Sequence, residues 1–307
     1  MLPVIIESYY IGKLRIFCGI TAFVHLLQCI TTFGLWLSKK DVLDNSLLFT
    51  TKTSMLWYSS NESNIYSYDI VNQISCNLIH NKPAMRNFKM APIILYNSET
   101  EPLIIISIFY LLSFLFQFHT SNYWPFCKPY YKINNEIRFI EYSISASLML
   151  ITIAFQIGIT DIYLLTNMFF NCFSCMIFGL LSQILMYDQK NTIIGIPLYI
   201  ITHLCGWLTL CISYYPIIDV FYSSIDCSNT GNKSIPEFVK IIIILQALLF
   251  TSFGFIQIFD FIFKKLKYNK NLVNMIVDFM YILLSLVTKS LLGWIIIGNT
   301  YSARLKN

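Results

Sequence analysis

Charge is what this sequence lacks. Only 12% of its 307 residues are Asp, Glu, Lys or Arg, while 56% are hydrophobic, about half the charged share of an ordinary globular domain. One or two water-soluble domains would be the usual reading of this length, and that balance excludes it. The charges are also segregated: long apolar runs hold almost none, and the connections hold nearly all. Other signatures are missing too. There is no metal-ligand spacing, nucleophile triad, phosphate-binding loop or nucleic-acid footprint, so nothing points to an enzyme or to a nucleic-acid partner. No repeat period, low-complexity tail or second domain stands out, and no small-residue cleavage site follows the first apolar run.

What is present is a set of seven apolar runs, 14–37, 101–121, 137–157, 162–186, 191–215, 237–263 and 272–298. Each meets or approaches the about 20 residues that a helix needs to cross a bilayer. The expectation is an all-α membrane protein, a single domain over residues 1–307 built as a seven-helix bundle. With seven spans the termini lie on opposite sides, and Lys/Arg bias says which is where. The N-terminal side collects Lys13, Arg15, Lys128, Lys132, Lys190, Lys264, Lys265, Lys267 and Lys270, against Lys233, Arg304 and Lys306 on the other, leaving out the six basic residues of the 38–100 connector, which is too long for the rule to count. This predicts a cytoplasmic N-terminus and an external or lumenal C-terminus. The net charge of +5 is then mostly cytoplasmic loop charge beside an anionic leaflet.

The only Asn-x-Ser/Thr sequons, at Asn61 and Asn232, fall on the predicted external side. So do Cys76 and Cys227, which an oxidising compartment could bridge or leave free. The 63-residue connector Ser38–Thr100 is too long for a plain loop. Its stretches Ser46–Ser59 and Ile65–Ile79 mix β-branched and aromatic residues with polar ones, which predicts a small external β-hairpin capping the bundle.

Few ionisable residues remain inside the spans. A charge at the bilayer centre costs roughly 3 kcal/mol on insertion scales, so each is paired, neutralised or functional. Lys289, in LLSLVTKSLLGW, sits near the middle of the last span, too deep to snorkel easily. It either locks two helices through an ion pair or serves as a Schiff-base amine, a role to which buried lysines are readily tuned. Glu141 on the third span is the matching anion, either counterion to Lys289 or half of a helix-end bridge with Arg138, three residues earlier on the same face. Ser145, Leu148 and Thr152 continue that stripe. On the seventh span Asp278, Ser285 and Lys289 share a face; Asp278 reads as a solvated carboxylate at the helix start, and Ser285 as a hydrogen-bonding neighbour of the lysine.

Weaker candidates are His25, on a stripe with Thr21, Gln28 and Thr32, and Gln117, four residues after Ser113. His203, one turn before Trp207, reads as a satisfied interhelical hydrogen bonder. Asp260, close to the lysine cluster, reads as an interface charge.

Seven spans, an aromatic-rich sequence (16% Phe, Trp and Tyr) and a lysine midway along the last helix resemble a microbial-type rhodopsin. The inverted orientation narrows the resemblance to heliorhodopsins. Arg138-Phe-Ile-Glu141-Tyr142-Ser143 is similar to that family's third-helix counterion motif. Ser285-Leu-Val-Thr-Lys289-Ser is similar to its retinal-lysine motif, with Ser where ion pumps usually carry a second aspartate. Met176-Ile-Phe-Gly179 resembles a fourth-helix segment, and His25 a first-helix histidine near the Schiff base. The match spans essentially the whole bundle. One departure is Gln117, which takes the place of a second family histidine and so alters the polar cavity next to the Schiff base; His119, two residues on, faces elsewhere.

The resemblance implies all-trans retinal on Lys289 as a protonated Schiff base with Glu141 as counterion, and a homodimer in membrane lipid with no specified signalling partner. It also implies a slow photocycle suited to sensing. Pocket-wall candidates are Met168, Met176, Phe178, Trp207, Gln246, Phe250 and Phe253, residues that serve a plain packed core equally well. Proton-network candidates are His25, Arg138, Gln117 and Ser145. After Glu141 the third helix carries no carboxylate until Asp161, so an efficient outward proton pump is not expected. Two other readings stand beside photosensing. One is a light-gated proton or cation conductance on the same scaffold, which the Ile/Asn/Lys/Tyr-rich composition of an AT-rich viral or protist genome would suit. The other is a retinal-free transporter or receptor in which Lys289 and Glu141 form a structural pair.

Overall fold

Seven apolar runs become seven long helices among the residues that the computed structural model describes, which are 2–42, 51–59, 91–100, 102–123, 130–159, 161–188, 195–228, 237–266 and 268–305. The helices are α1 (Leu2–Val42), α2 (Pro102–Tyr123), α3 (Tyr130–Ile157), α4 (Ile162–Asp188), α5 (Gly195–Ser228), α6 (Glu237–Lys265) and α7 (Lys270–Leu305). Each contains a stretch apolar and long enough to cross a membrane, from 20 residues in α2 to 28 in α5. In hydrocarbon the backbone must satisfy its own N–H and C=O groups, and helices do so without help from neighbours.

Between α1 and α2 the strands β1 (Thr51–Ser59) and β2 (Ala91–Thr100) pair antiparallel, with a register irregularity between Met55 and Leu56. The first expected strand is thus present. Its partner is 91–100, a segment that sequence reading passed over; the stretch 65–79 lies outside the described residues. Cys76, Asn61 and Asn232 lie outside them as well.

Successive helices pack side by side from α1 to α5, α6 packs on α7, and α7 returns to α1 to close the ring. The wall between α5 and α6 is built differently. Aromatic rings bridge it, with Tyr199 stacked on Phe261 at 4.3 Å, Trp207 edge-on to Phe255 at 5.7 Å and Tyr214 edge-on to Phe250 at 6.0 Å. The helices share the burial unevenly. α3 is central, with 72% of its most apolar window buried, whereas α5 has only 22% and turns most of its surface outward.

The fifth span departs from expectation at both ends. It runs Gly195–Tyr222, and α5 continues to Ser228, so most of what reads as a loop from residue 216 is helical. Pro216 lies inside the helix, where proline removes one ladder hydrogen bond. Within membranes, neighbouring helices and local adjustment offset that loss, and the helix passes through.

The turn from α3 to α4 is short, residues 158–161. Gly158 adopts a φ of 92°, where a side chain would be strained. Its N–H donates to the Phe155 carbonyl at 3.1 Å, and the Ile159 N–H donates to the Ala154 carbonyl at 3.0 Å. This pair of bonds is a Schellman cap that closes α3. Asp161 then starts α4, accepting from the Tyr163 N–H at 3.3 Å.

Candidate functional site

The site grows from a stripe of polar residues on the most buried helix. On α3, Arg138, Glu141, Ser145 and Thr152 recur at helical spacing, and all are buried. α7 faces them with Asp278, Ser285 and Lys289, also buried. Lys289 is 3% exposed and Glu141 2%. The Lys289 Nζ forms an ion pair with Glu141 Oε1 and also donates to Ser113 Oγ on α2. Ser113 Oγ lies 2.7 Å from the same carboxylate oxygen, and Ser145 Oγ donates to it at 3.3 Å. Lysine, carboxylate and two hydroxyls on three helices thus make one compact node. The ring of Tyr142 lies 5.2 Å from Nζ, and its hydroxyl donates to the Tyr281 carbonyl at 3.2 Å. Buried charges persist only when paired and hydrogen-bonded, and this node supplies both conditions.

A second buried pair lies nearer the start of α3. Arg138 Nη1 donates to Asp278 Oδ1 at 2.9 Å, and the guanidinium sits 5.1 Å from the Tyr281 ring centroid. Asp278 is 2% exposed. The sequence reading of Asp278 as a solvated carboxylate is therefore corrected: Arg138 reaches across from α3 and takes it into the interior. Asp260, read as an interface charge beside the lysine cluster, does pair with a member of that cluster but is buried. It is 1% exposed, pairs with Lys264 at 2.6 Å, and accepts from Gln183 Nε2 at 3.1 Å, tying α6 to α4.

The other polar candidates cluster around the node. His25, fully buried on α1, shares a hydrogen bond of 3.0 Å between Nδ1 and Gln28 Oε1, and Gln28 Nε2 donates to Ser290 Oγ at 2.7 Å. The His25 chain thus ends on the residue after Lys289. Its Nε2 has no protein partner. Gln117 is buried and lines a small cavity with Arg138, Glu141 and Cys18, and its Oε1 also lacks a protein partner. His119 is exposed, on a different face of α2 from Gln117.

Two neighbouring cavities that share lining residues lie on the α4–α6 side of Lys289. The nearer is lined by Tyr142, Ser145, Met149, Ser285 and Lys289 among others, with Met176, Phe250 and Phe253 closing its far side. Those last three residues also line the second cavity, which continues between α4, α5 and α6 to Trp207, His203 and Gln257. Ser285 faces the nearer cavity with a buried Oγ close to Tyr142 that makes no hydrogen bond of good geometry.

Of the pocket-wall candidates, then, Met176, Phe250, Phe253 and Trp207 line this space. Gln246 does not; it is buried a full turn before Phe250 on α6, and its Nε2 lacks a partner. Met168 is a core residue, and Phe178 packs beside Gly206. His203 accepts from Trp207 Nε1 at 2.9 Å, a bond within α5 and not the interhelical one expected. Trp207 in turn lies against Gly254, where a Cβ would come within 2.6 Å of the indole.

Ser113 and Tyr142 were missed as site residues. The signal for Ser113 was its i, i+4 spacing to Gln117 on an apolar helix, and for Tyr142 its place next to Glu141.

The arrangement offers an amine with a paired carboxylate beside two small, largely apolar cavities that share Met176, Phe250 and Phe253 as walls. Compared with known proteins, the chain matches the heliorhodopsin family model over residues 14–301. No curated protein matches it.

Proposed function

The chain belongs to the heliorhodopsin family of retinal-binding photoreceptors, and on that premise we propose that it carries all-trans retinal on Lys289 as a protonated Schiff base with Glu141 as counterion. One observation carries the reading: the paired Lys289 amine borders a largely apolar cavity whose Met176, Phe250 and Phe253 also line the next one, which reaches Trp207. The residues fit a long conjugated aldehyde, with an amine to bind its head and aromatic and Met side chains to hold its body. When bound, retinal supplies visible absorption and a light-driven change of double-bond geometry. The chain's own residues do the rest. Glu141 compensates a positive nitrogen that would be costly alone in this interior. Ser113 and Ser145 keep the carboxylate oriented, and the ring of Tyr142 lies beside Nζ and favours a positive charge there.

We read the output as sensing rather than pumping. Beyond Thr152, α3 buries Ile153, Ala154, Phe155 and Ile157 before its turn, an apolar barrier with no titratable group to receive or donate a proton. Lys/Arg bias supports a cytoplasmic N-terminus and an external C-terminus, and the family supports a homodimer in the lipid bilayer. The test is the visible spectrum of protein expressed with all-trans retinal, beside Lys289→Ala and Glu141→Gln. A band that disappears in the first and moves in the second is the expected result; a folded but colourless wild type would leave Lys289 and Glu141 as a mere ion pair. Photocurrents recorded under a proton gradient test the light-gated conductance, and a sustained current would displace the sensing reading.

A further inference from the structure

The residue to which the chromophore attaches is held by more than its side chain. In α7 the Lys289 carbonyl serves the Gly293 N–H in the helical ladder. A carbonyl oxygen has a second lone pair, and here it accepts from the Tyr110 hydroxyl of α2 at 3.1 Å. Tyr110 is fully buried, wedged against Phe109 at 4.8 Å and His25 at 5.9 Å between ring centroids, so its hydroxyl is aimed by packing. It reaches α7 through a gap that only glycine leaves. A Cβ built on Gly293 would overlap Tyr110 Oη and would lie 2.8 Å from its Cζ. Gly293 is therefore explained by Tyr110, and neither residue lines the cavities that run from Lys289.

We propose that Tyr110 is a positioning residue for the Lys289 attachment point: its hydroxyl, seated in the space left by Gly293, ties the α7 backbone to α2 and sets how fast the light-driven state returns to the dark. The proposal rests on the reading of Lys289 as the retinal lysine. Force applied at Nζ can be absorbed by twisting α7 locally or passed to its neighbours. A cross-helix bond to the carbonyl of that same residue opposes the twist and pulls α7 back. Removing the bond stabilises the displaced state relative to the dark one, so the return slows. The size is about fivefold, the rate equivalent of one ordinary net hydrogen bond.

The experiment compares wild type, Tyr110→Phe, Gly293→Ala and the double variant, each with retinal, by visible spectrum and by flash-induced decay. Both single variants should stay coloured and decay about fivefold more slowly, and the double should be no slower than either, because both remove the same bond. Lysine carbonyls labelled with ¹³C give an independent readout. The lysine amide band that changes on illumination should lie at higher frequency in Tyr110→Phe, and this holds even if Gly293→Ala fails to fold. A coloured Tyr110→Phe with unchanged decay and an unmoved amide band overturns the proposal and leaves the Lys289 assignment intact. A colourless wild type overturns both, and is seen before any variant is compared.

Discussion

The two ends of the candidate site are built on opposite principles. Around Lys289, α2, α3 and α7 contribute charges and hydroxyls that are almost all mutually satisfied. Around Trp207, α4, α5 and α6 contribute rings, thioethers and glycines held by shape. Losing one partner at the polar end leaves an uncompensated charge, whereas a change at the apolar end alters only fit. The polar end should therefore decide whether and how the chromophore is bound, and the apolar end should adjust its colour and stability.

Substitutions at each end can break or sharpen that contrast. The largest effect is expected from Lys289→Ala, which should abolish the visible band altogether while circular dichroism still reports a helical bundle. Next comes Arg138→Ala, which strands the Asp278 carboxylate in the interior. It should cost about 3–5 kcal/mol, read as a lower temperature at which the visible band is lost. Glu141→Gln should keep a band but shift it to longer wavelength, because the positive charge is no longer pinned near the nitrogen. A band that does not move would mean the counterion lies elsewhere. Gly254→Ala introduces a methyl 2.6 Å from the Trp207 indole; overpacking of this kind costs about 1–3 kcal/mol. Its spectral shift should be smaller than that of Glu141→Gln. A larger shift would erase the distinction between the two ends.

The same contrast explains what could be read from the sequence. Lys289 and Glu141 were legible because ionisable residues deep inside an apolar span are rare and demand partners. All seven spans were legible from hydrophobic runs alone, although the fifth run was ended at residue 215 and the helix continues through Pro216. Pairings between distant segments were not legible. Asp278 looked solvated near its helix start, and only the approach of α3 shows that Arg138 buries it. Ser113 carries no charge to draw attention, yet it touches both members of the central pair. Aromatic and Met residues were ambiguous for a simple reason: a pocket wall and a packed core need the same side chains. Gln246 and Trp207 could not be told apart until one was found a turn away from the cavity.

The Gly158 turn carries a mechanical consequence. α3 holds Glu141 and Arg138, and its far end is clamped by two cap bonds and a four-residue connection to α4. A beam clamped at one end can swing but cannot slide or spin, and its excursion grows with distance from the clamp. Arg138 lies 20 residues from Gly158, about 30 Å along the helix, so the half of α3 far from the clamp is held to α7 by the Arg138–Asp278 pair. Any tilt of α3 set off at Glu141 would therefore be passed, nearly undiminished, to that ion pair and through it to α7.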